Sequence, residues 1–265
     1  IKDFFVNEFE RYDQKFRTEA VAPIQNKVGQ FLSSSTIRNI VGQSSNSIDM
    51  RKAMDESKIM LVDLSIGRIG EDNSALLGSL IITKIQMAAM SRAEMSREDR
   101  TPFYLYVDEF QNFITDVFAT ILSESRKYKL ALNITNQYIA QLDEKIRDAV
   151  IGNAGTMIAF RIGAADAEFL VKEFEPLSVD DMVNVDKFCF YVKMLINNAP
   201  SIPFNGQGLP PDKNGDPKIA KAIYHLSRLK YGKSRKVVDL EIRQRTKIDE
   251  IKLSGLNDTP PAVAR

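Results

Sequence analysis

Two adjacent carboxylates, Asp108 and Glu109, directly follow the apolar run Phe103–Val107. Such a run is typical of a buried β-strand, and ligands of α/β proteins bind beyond the carboxyl ends of such strands. There, Asp108 could hold Mg²⁺ on a nucleotide through water, and Glu109 could polarise the water that attacks the terminal phosphate. This is the pattern of a Walker B element, although a strand can also end in an acidic pair without any catalytic role.

Amides and a basic residue are predicted near these carboxylates. Asn136 and Gln137 end the next predicted strand, Ala131–Thr135, and lie beside the carboxylates if the two strands are neighbours. Their amides would then be sensors that hydrogen-bond the terminal phosphate or the attacking water, and the alternative interpretation is a polar turn. Arg126 ends the intervening helix, where any cation is favoured by the helix dipole, but its guanidinium fork also suits a phosphate in a neighbouring subunit.

Strand-like and helix-like segments alternate along the middle of the chain, which predicts an α/β fold. The predicted strands are Lys58–Leu64, Phe103–Glu109, Ala131–Thr135, Thr156–Arg161 and Lys187–Leu195. Apolar residues at helical spacing predict the helices between them, at 74–92, 114–128, 139–150 and 164–175. Connections of this length imply right-handed parallel crossovers and a sheet covered by helices on both faces.

Composition excludes some chemistry and leaves other chemistry open. Cys189 is the only cysteine and His225 the only histidine, so neither an internal disulfide nor a Cys/His metal cluster can form. The net charge of +1 hides an uneven distribution: residues 101–200 hold 9 basic and 14 acidic residues, whereas residues 212–252 hold 12 and 6. The basic segment Lys218–Lys252 could contact nucleic-acid phosphates, form a solvated helix face, or dock on the acidic middle.

These patterns divide the chain into four segments. Residues 1–50 are a predicted helical segment, 51–200 an α/β domain, 201–217 a linker rich in proline and glycine, and 218–265 a basic helical segment with a tail. The sequence contains no run of about 18 consecutive apolar residues, so we expect no membrane span. It also lacks a signal-peptide pattern, so we expect no leader. The chain begins at Ile1 rather than Met, and we expect it to be a piece of a longer protein.

A spaced set of motifs resembles one known family. The motifs are Ser65–Gly70 (SIGRIG), Phe103–Asn112 (FYLYVDEFQN), Ser123–Tyr128 (SESRKY), Asn136–Tyr138 (NQY), Gln141–Leu142 (QL), Gly152–Thr156 (GNAGT), Phe160–Gly163 (FRIG) and Asp166–Glu168 (DAE). Over about residues 25–245, the set resembles the type IV secretion coupling proteins. These are conjugative DNA-transfer ATPases of the TraG/TraD kind, relatives of the FtsK/HerA motors.

The resemblance implies a fold, an assembly and residue roles. In that family the fold is RecA-like, six subunits form a ring around DNA, and ATP is hydrolysed between subunits. The implied roles are Asp108 for Mg²⁺ through water, Glu109 as general base, Gln137 as sensor with Asn136 near the nucleotide, Arg126 as the finger that reaches the next subunit's ATP, and Arg161 as a second finger candidate.

One family element, the Gly-x4-Gly-Lys-Ser/Thr phosphate loop of Walker A, is missing. The only Gly-Lys-Ser run, Gly232–Ser234, has Ser227 in place of the first glycine and follows a polar helical stretch, so we interpret it as coincidental. In the family this loop lies far upstream, before an inserted helical domain, and the chain most resembles the part downstream of it. We therefore expect this chain alone neither to bind ATP tightly nor to hydrolyse it.

Loss of the Walker A strand would leave unpaired backbone edges on apolar strands. Either the remaining strands close up or another chain fills the gap, and the sequence does not decide between these.

The functional hypothesis is the C-terminal part of an ATP-driven coupling protein that recruits or pumps DNA into a type IV secretion channel. The resemblance implies ATP and Mg²⁺ as cofactors and a homo-hexamer in the complete protein, with DNA, relaxosome proteins and channel proteins as partners. It implies a cytoplasmic domain anchored at the bacterial inner membrane through upstream residues. A HerA/FtsK-like translocase unrelated to secretion and a non-catalytic interaction module of the same fold are the alternatives.

Overall fold

The computed structural model describes residues 7–246, except for the side chains of 27–28, 30–33 and 116–117. The predicted helical start at 1–6 and the predicted tail lie outside these residues. The chain divides into two compact units, one formed by Ile1–Ile48 with Lys218–Arg265 and the other by Asp49–Pro217.

Helices account for much of the described chain. They are α1 (Gln14–Ser33), α2 (Ser35–Val41), α3 (Met50–Asp55), α4 (Ile66–Ile69), α5 (Glu71–Met90), α6 (Asp116–Glu124), α7 (Glu144–Asn153), α8 (Ala164–Leu170), α9 (Val179–Val183), α10 (Pro217–Tyr231) and α11 (Arg235–Thr246). Short 3₁₀ helices span Phe9–Arg11, Ser91–Glu94, Phe110–Phe113, Ser125–Tyr128 and Ile139–Gln141. The strands are β1 (Phe103–Val107), β2 (Leu130–Ile134), β3 (Thr156–Ala159), β4 (Cys189–Ile196), β5 (Ala199–Pro200) and β6 (Phe204–Gln207).

In the unit Asp49–Pro217, β1 and β2 form a parallel pair, with Phe103 opposite Leu130 and Val107 opposite Ile134. One face of the pair packs into the main core, which includes buried residues of α5, α6 and α7: Ile82, Ile85, Phe118, Ile121 and Ile146. The predicted α/β class, with a partly parallel sheet flanked by helices, is therefore confirmed.

The other face of β1 differs from the prediction. Tyr104 is 60% exposed and Tyr106 is 73% exposed, so helices do not cover both faces of this pair. The expectation of two covered faces was wrong because β1 alternates: Phe103, Leu105 and Val107 face the core while the tyrosines face outward. Tyrosine tolerates that position because its ring is amphipathic.

A second sheet is antiparallel. β4 pairs with β3 on one side, with β6 on the other, and with the short β5 near its end. The predicted parallel arrangement of the segments around 156–161 and 187–195 was therefore wrong, because hydrophobic periodicity carries no information on strand direction. Residues 201–217, predicted as a linker, contain β6, whose pairing with β4 the proline and glycine content did not indicate.

The predicted strand Lys58–Leu64 is also wrong, since no strand is assigned to these residues. Ile59 is 91% exposed and Leu61 is 88% exposed. An apolar run forms a strand only where a neighbouring strand satisfies its backbone groups, and no partner for these residues occurs in the described part of the chain.

The long helix α5 forms one wall of the main core. Its buried residues include Leu77, Ile82 and Ile85. Among the residues described, one helical stretch, Glu71–Glu94, is long and apolar enough to cross a membrane by length and composition alone. The same stretch packs against β1 and α6 in the core, and the central helix of an α/β domain packs in this way.

The other unit joins α2 to α11. Ile37, Val238 and Ile242 are buried, and Arg38 forms an ion pair with Asp239 at 3.3 Å. The predicted helical segment 1–50 contains α1 and α2, and Ser34 begins α2 by accepting a hydrogen bond from the backbone N–H of Ile37.

Arg92 is a fully buried cation at the amino ends of β1 and β2. Its Nε donates to Asp55 at 3.0 Å, and its NH1 donates to the carbonyls of Thr101 (2.8 Å) and Tyr128 (3.2 Å). Burial lowers the pKa of Arg92 and the carboxylate of Asp55 opposes this, but a guanidinium keeps its charge in proteins. One side chain thus ties α3 to the segments that lead into both parallel strands.

We expect Arg92→Met to lower the free energy of unfolding by about 3 kcal/mol, because two carbonyls and Asp55 lose a buried charged partner. Urea denaturation followed by circular dichroism measures this loss. The control is Arg97→Met at an exposed position, which should change stability by less than about 0.5 kcal/mol. Equal effects of the two substitutions would contradict the role assigned to Arg92.

Candidate functional site

The backbone of the β1 and β2 pair continues past both strands and forms the base of the site. The N–H of Thr135 donates to the carbonyl of Val107, and the N–H of Phe110 donates to the carbonyl of Thr135, both at 3.0 Å. These bonds place the residues after β1 against those after β2, as the sequence predicted for neighbouring strands.

Asp108 is an exposed carboxylate held by the residues around it. It accepts a hydrogen bond from the hydroxyl of Thr135 and another from the backbone N–H of Glu109 at 3.1 Å. Both donors reach the same oxygen, Oδ1. The carboxylate is therefore oriented by β2 and by its own turn.

Glu109 is half-buried and has a left-handed backbone conformation, with φ of 49°. Gln137 donates from Nε2 to Oε1 at 2.5 Å, and Gln111 donates from Nε2 to Oε2 at 2.6 Å. Two amides from opposite sides thus bind the two oxygens of one carboxylate. The predicted neighbours Asp108, Glu109 and Gln137 are brought together.

Gln111 is a site residue that the sequence reasoning missed. It lies in the 3₁₀ helix Phe110–Phe113, two residues after Glu109, and a residue two positions along a strand or a regular helix would not face back. The turn at Glu109 makes the contact possible. The only sequence signal was its place inside the quoted motif Phe103–Asn112.

The remaining predicted residues lie apart from this cluster. Asn136 donates to the carbonyl of Tyr138 at 3.1 Å rather than to a carboxylate. Arg126 is exposed in the 3₁₀ helix before β2, whereas the cluster lies after β2. The five residues of β2 separate the two ends by about 16 Å. Arg161 is exposed and follows β3, which is a strand of the second sheet. Their predicted roles toward a nucleotide stay predictions.

Local contacts explain two other parts of the sequence, the Gly-Lys-Ser run and the turn that leads into the Ser65–Gly70 motif. Lys233 of the Gly-Lys-Ser run forms an ion pair with Glu241 at 2.7 Å, as expected of an ordinary helix-end lysine. In the turn before α4, Asp63 binds Ser65 and Arg68, and the hydrogen bonds from Ser65 lower the pKa of Asp63, with Arg68 adding to the effect.

The donor set near Asp108 fits Mg²⁺ only in a limited way. Within the described residues no group of three or more acidic, histidine or cysteine side chains could hold a metal ion. Mg²⁺ on a nucleotide, however, is commonly held by one or two carboxylates, with waters and phosphates completing its six ligands. The exposed carboxylate of Asp108 meets that requirement and would hold the ion directly or through water.

The fold and the cluster together define a class of site: carboxylates and amides at the carboxyl end of a parallel strand pair. Residues 102–172, which include the whole cluster, match the family model described as the TraM recognition site of TraD and TraG. This match confirms the resemblance to TraG/TraD coupling proteins over those residues. No curated protein matches the sequence.

Two solved structures are similar at low identity. The bacterial conjugative coupling protein TrwB has a TM-score of 0.43 at 11% identity, covering 56% of this chain and 39% of that chain. The genome packaging NTPase of Sulfolobus turreted icosahedral virus 2, in complex with AMPPCP, has a TM-score of 0.44 at 11% identity, covering 63% of this chain and 74% of that chain. This chain thus spans well under half of the coupling protein, and neither likeness bears on its function.

Gly78 of α5 positions the 3₁₀ helix that carries Gln111. A Cβ at this position would lie 2.2 Å from the ring of Phe113, so only glycine leaves room for that ring. We expect Gly78→Ala to lower the free energy of unfolding by about 1–3 kcal/mol despite the higher helix propensity of alanine.

Gly152→Ala in α7 is the matched control, because nothing lies within 4 Å of its added Cβ. It should raise stability by about 0.5 kcal/mol. Thermal unfolding of both variants checks the pair, and stabilisation by Gly78→Ala would show that Phe113 does not occupy this position.

Proposed function

We propose that this chain is part of an ATP-driven DNA-transfer motor of the TraG/TraD coupling kind, with its nucleotide edge at Asp108 and Glu109. One observation carries the proposal: Asp108, Glu109 and Gln137 meet at the end of a parallel strand pair, inside the residues that match the TraD and TraG model. In this proposal, residues outside the 265-residue chain supply the phosphate-binding loop.

The site residues divide the work. Asp108 would hold the magnesium ion of the nucleotide, and Thr135 orients the carboxylate of Asp108. Glu109 accepts a proton from the attacking water as the water oxygen bonds to the terminal phosphorus and ADP leaves. Gln137, which contacts Glu109, orients that water. Mg²⁺, when bound with ATP, would supply positive charge against the charge that develops on the transferred phosphoryl group.

Glu109 must face a water molecule for this role, and its carboxylate can accept from that water because the two amides occupy only two of about four acceptor sites. Gln137 is exposed, whereas Gln111 is half-buried. We therefore assign the contact with the attacking water to Gln137, and we assign to Gln111 the role of holding Glu109 in place.

The matched segment supports one of the proposed partners. Residues 102–172 would recognise a relaxosome protein of the TraM kind, as the description of the family model indicates for TraD and TraG. DNA is the transported substrate, and six copies form the working ring. Arg126 then acts on the nucleotide of a neighbouring copy, because it lies at the far end of β2 from its own cluster.

The test is ATP hydrolysis and plasmid transfer by the complete natural protein. We expect Glu109→Gln to lower kcat by about 100-fold or more while nucleotide binding persists, because the amide cannot accept the proton. Plasmid transfer should fall with it. Glu144→Gln, at a side chain that is 84% exposed, is the matched control and should leave both unchanged.

The outcomes separate the alternatives. Loss of hydrolysis with normal plasmid transfer would favour a translocase unrelated to secretion. Normal hydrolysis in Glu109→Gln would refute the role assigned to Glu109. No hydrolysis in the wild type would favour a non-catalytic interaction module.

Gln111→Ala tests the positioning role of a residue that the sequence did not predict. Because Glu109 would lose one of its two orienting amides, we expect kcat to fall about tenfold with the nucleotide Kd unchanged. Asn112→Ala changes an exposed neighbour in the same 3₁₀ helix and should have no effect. A rise in Kd without a fall in kcat would show that Gln111 supports the fold of the nucleotide site rather than Glu109.

A further inference from the structure

Helix α10 carries two rows of side chains with different chemistry. Ile219, Ile223 and Leu226, at i, i+4 and i+7, form an apolar row with Leu229 beside it. A second row, at i, i+3, i+7 and i+10, consists of Lys218, Lys221, His225 and Arg228. The helix holds four lysine and arginine residues and no acidic residue between Pro217 and Tyr231.

The apolar row is exposed along its whole length. Ile219 is 59% exposed, Ile223 58%, Leu226 65% and Leu229 84%, and no residue of α10 is buried. Four large aliphatic side chains in one row are more than the scattered apolar residues that a protein surface normally carries.

The neighbouring helix of the same unit, in contrast to α10, does bury apolar residues. α11 buries Val238 and Ile242, and its Asp239 pairs with Arg38 of α2. α10 is tied to the unit near its end, where the hydroxyl of Ser47 donates to the carbonyl of Tyr231 at 2.8 Å. The unit therefore holds α10 at its base, and the apolar row has no counterpart among the described residues of that unit.

We propose that α10 is a docking surface for an anionic lipid bilayer. The four cations would contact lipid phosphates, and the apolar row would enter the boundary between headgroups and acyl chains. This proposal stands apart from the nucleotide chemistry, since it involves neither Asp108 nor Glu109.

Charge alone would suit nucleic acid equally, but the apolar row distinguishes the two. Phosphates of DNA attract the lysines and arginines, yet duplex DNA offers no apolar surface for Ile223 and Leu226. A lipid surface accounts for both rows at once.

Lys230 and the tyrosines favour lipid over a protein groove. Lys230 follows Leu226 by four residues and so continues the apolar row. In a closed protein groove it would need a specific acidic partner, whereas at a bilayer surface its long chain extends to the headgroups. Tyr224 and Tyr231 are exposed, and Arg228 and Lys230 lie over their rings at 5.7 Å and 5.3 Å, which suits the interface between water and lipid.

Flotation of the 265-residue chain with lipid vesicles tests the proposal. At about 0.1 M salt we expect at least about tenfold tighter binding to phosphatidylcholine vesicles that contain phosphatidylglycerol than to phosphatidylcholine alone. Leu226→Asp should weaken that binding about tenfold or more, because it puts a negative charge into the apolar row. Leu240→Asp, at an exposed leucine of α11, is the matched control and should bind as the wild type does.

A fluorescent variant measures insertion directly. The chain has no tryptophan, so Leu229→Trp provides a single probe in the apolar row. We expect its emission to shift to shorter wavelength with anionic vesicles and to stay unchanged with phosphatidylcholine. Circular dichroism of each variant confirms that the exposed substitutions leave the fold intact.

Three results would overturn the proposal. The first is no binding to anionic vesicles, or binding that Leu226→Asp leaves unchanged. The second is binding to duplex DNA that Lys221→Glu with Arg228→Glu removes, in the absence of vesicle binding, which would make α10 a nucleic-acid surface. The third is self-association that Leu226→Asp abolishes without any vesicle binding, which would assign the apolar row to a second copy.

Discussion

The parallel pairing of β1 with β2 determines where every group of the candidate site lies. Because the strands run in the same direction with Val107 opposite Ile134, their carboxyl ends reach the same edge of the sheet. The acidic pair after β1 then faces Thr135 and Gln137 after β2. At the other end Arg92 holds the segments that enter both strands, so one buried cation supports the register on which the site depends.

Local sequence indicated the two strands and the polar residues that follow them, whereas their pairing was only a condition of the predicted site. Two apolar runs followed by polar residues indicated two strands with ligands at their ends, and β1, β2 and the cluster of Asp108, Glu109 and Gln137 agree with that. Whether an apolar run pairs, and in which direction, depends on the neighbouring strands and not on the run's own sequence. Lys58–Leu64 has the composition of a strand but no backbone partner in the described residues, and β4 lies antiparallel because periodicity does not encode direction.

The backbone at Glu109 explains why Gln111 could not be predicted. A left-handed conformation costs a non-glycine residue on the order of 1 kcal/mol or more and is rarely adopted. Here it turns the chain out of β1 into the 3₁₀ helix Phe110–Phe113. Phe110 is fully buried and its ring stacks on that of Phe118, with 5.4 Å between the centroids, so packing at the residue next to Glu109 offsets the strain there. Such an offset depends on tertiary contacts that a pattern of residue types does not contain.

The charge of the cluster limits what it can do alone. Asp108 and Glu109 are neighbouring carboxylates, and in the described part of the chain their recorded partners are a hydroxyl, a backbone N–H and amides, with no lysine or arginine among them. A nucleotide triphosphate carries several negative charges, and two uncompensated carboxylates would repel it. Amides orient such groups but do not neutralise them. A site of this composition therefore needs cations from elsewhere, in the form of a metal ion, a phosphate-binding lysine or a neighbouring subunit's arginine. In the proposed function a larger assembly would supply these cations, and Arg126 would serve the nucleotide of a neighbouring copy.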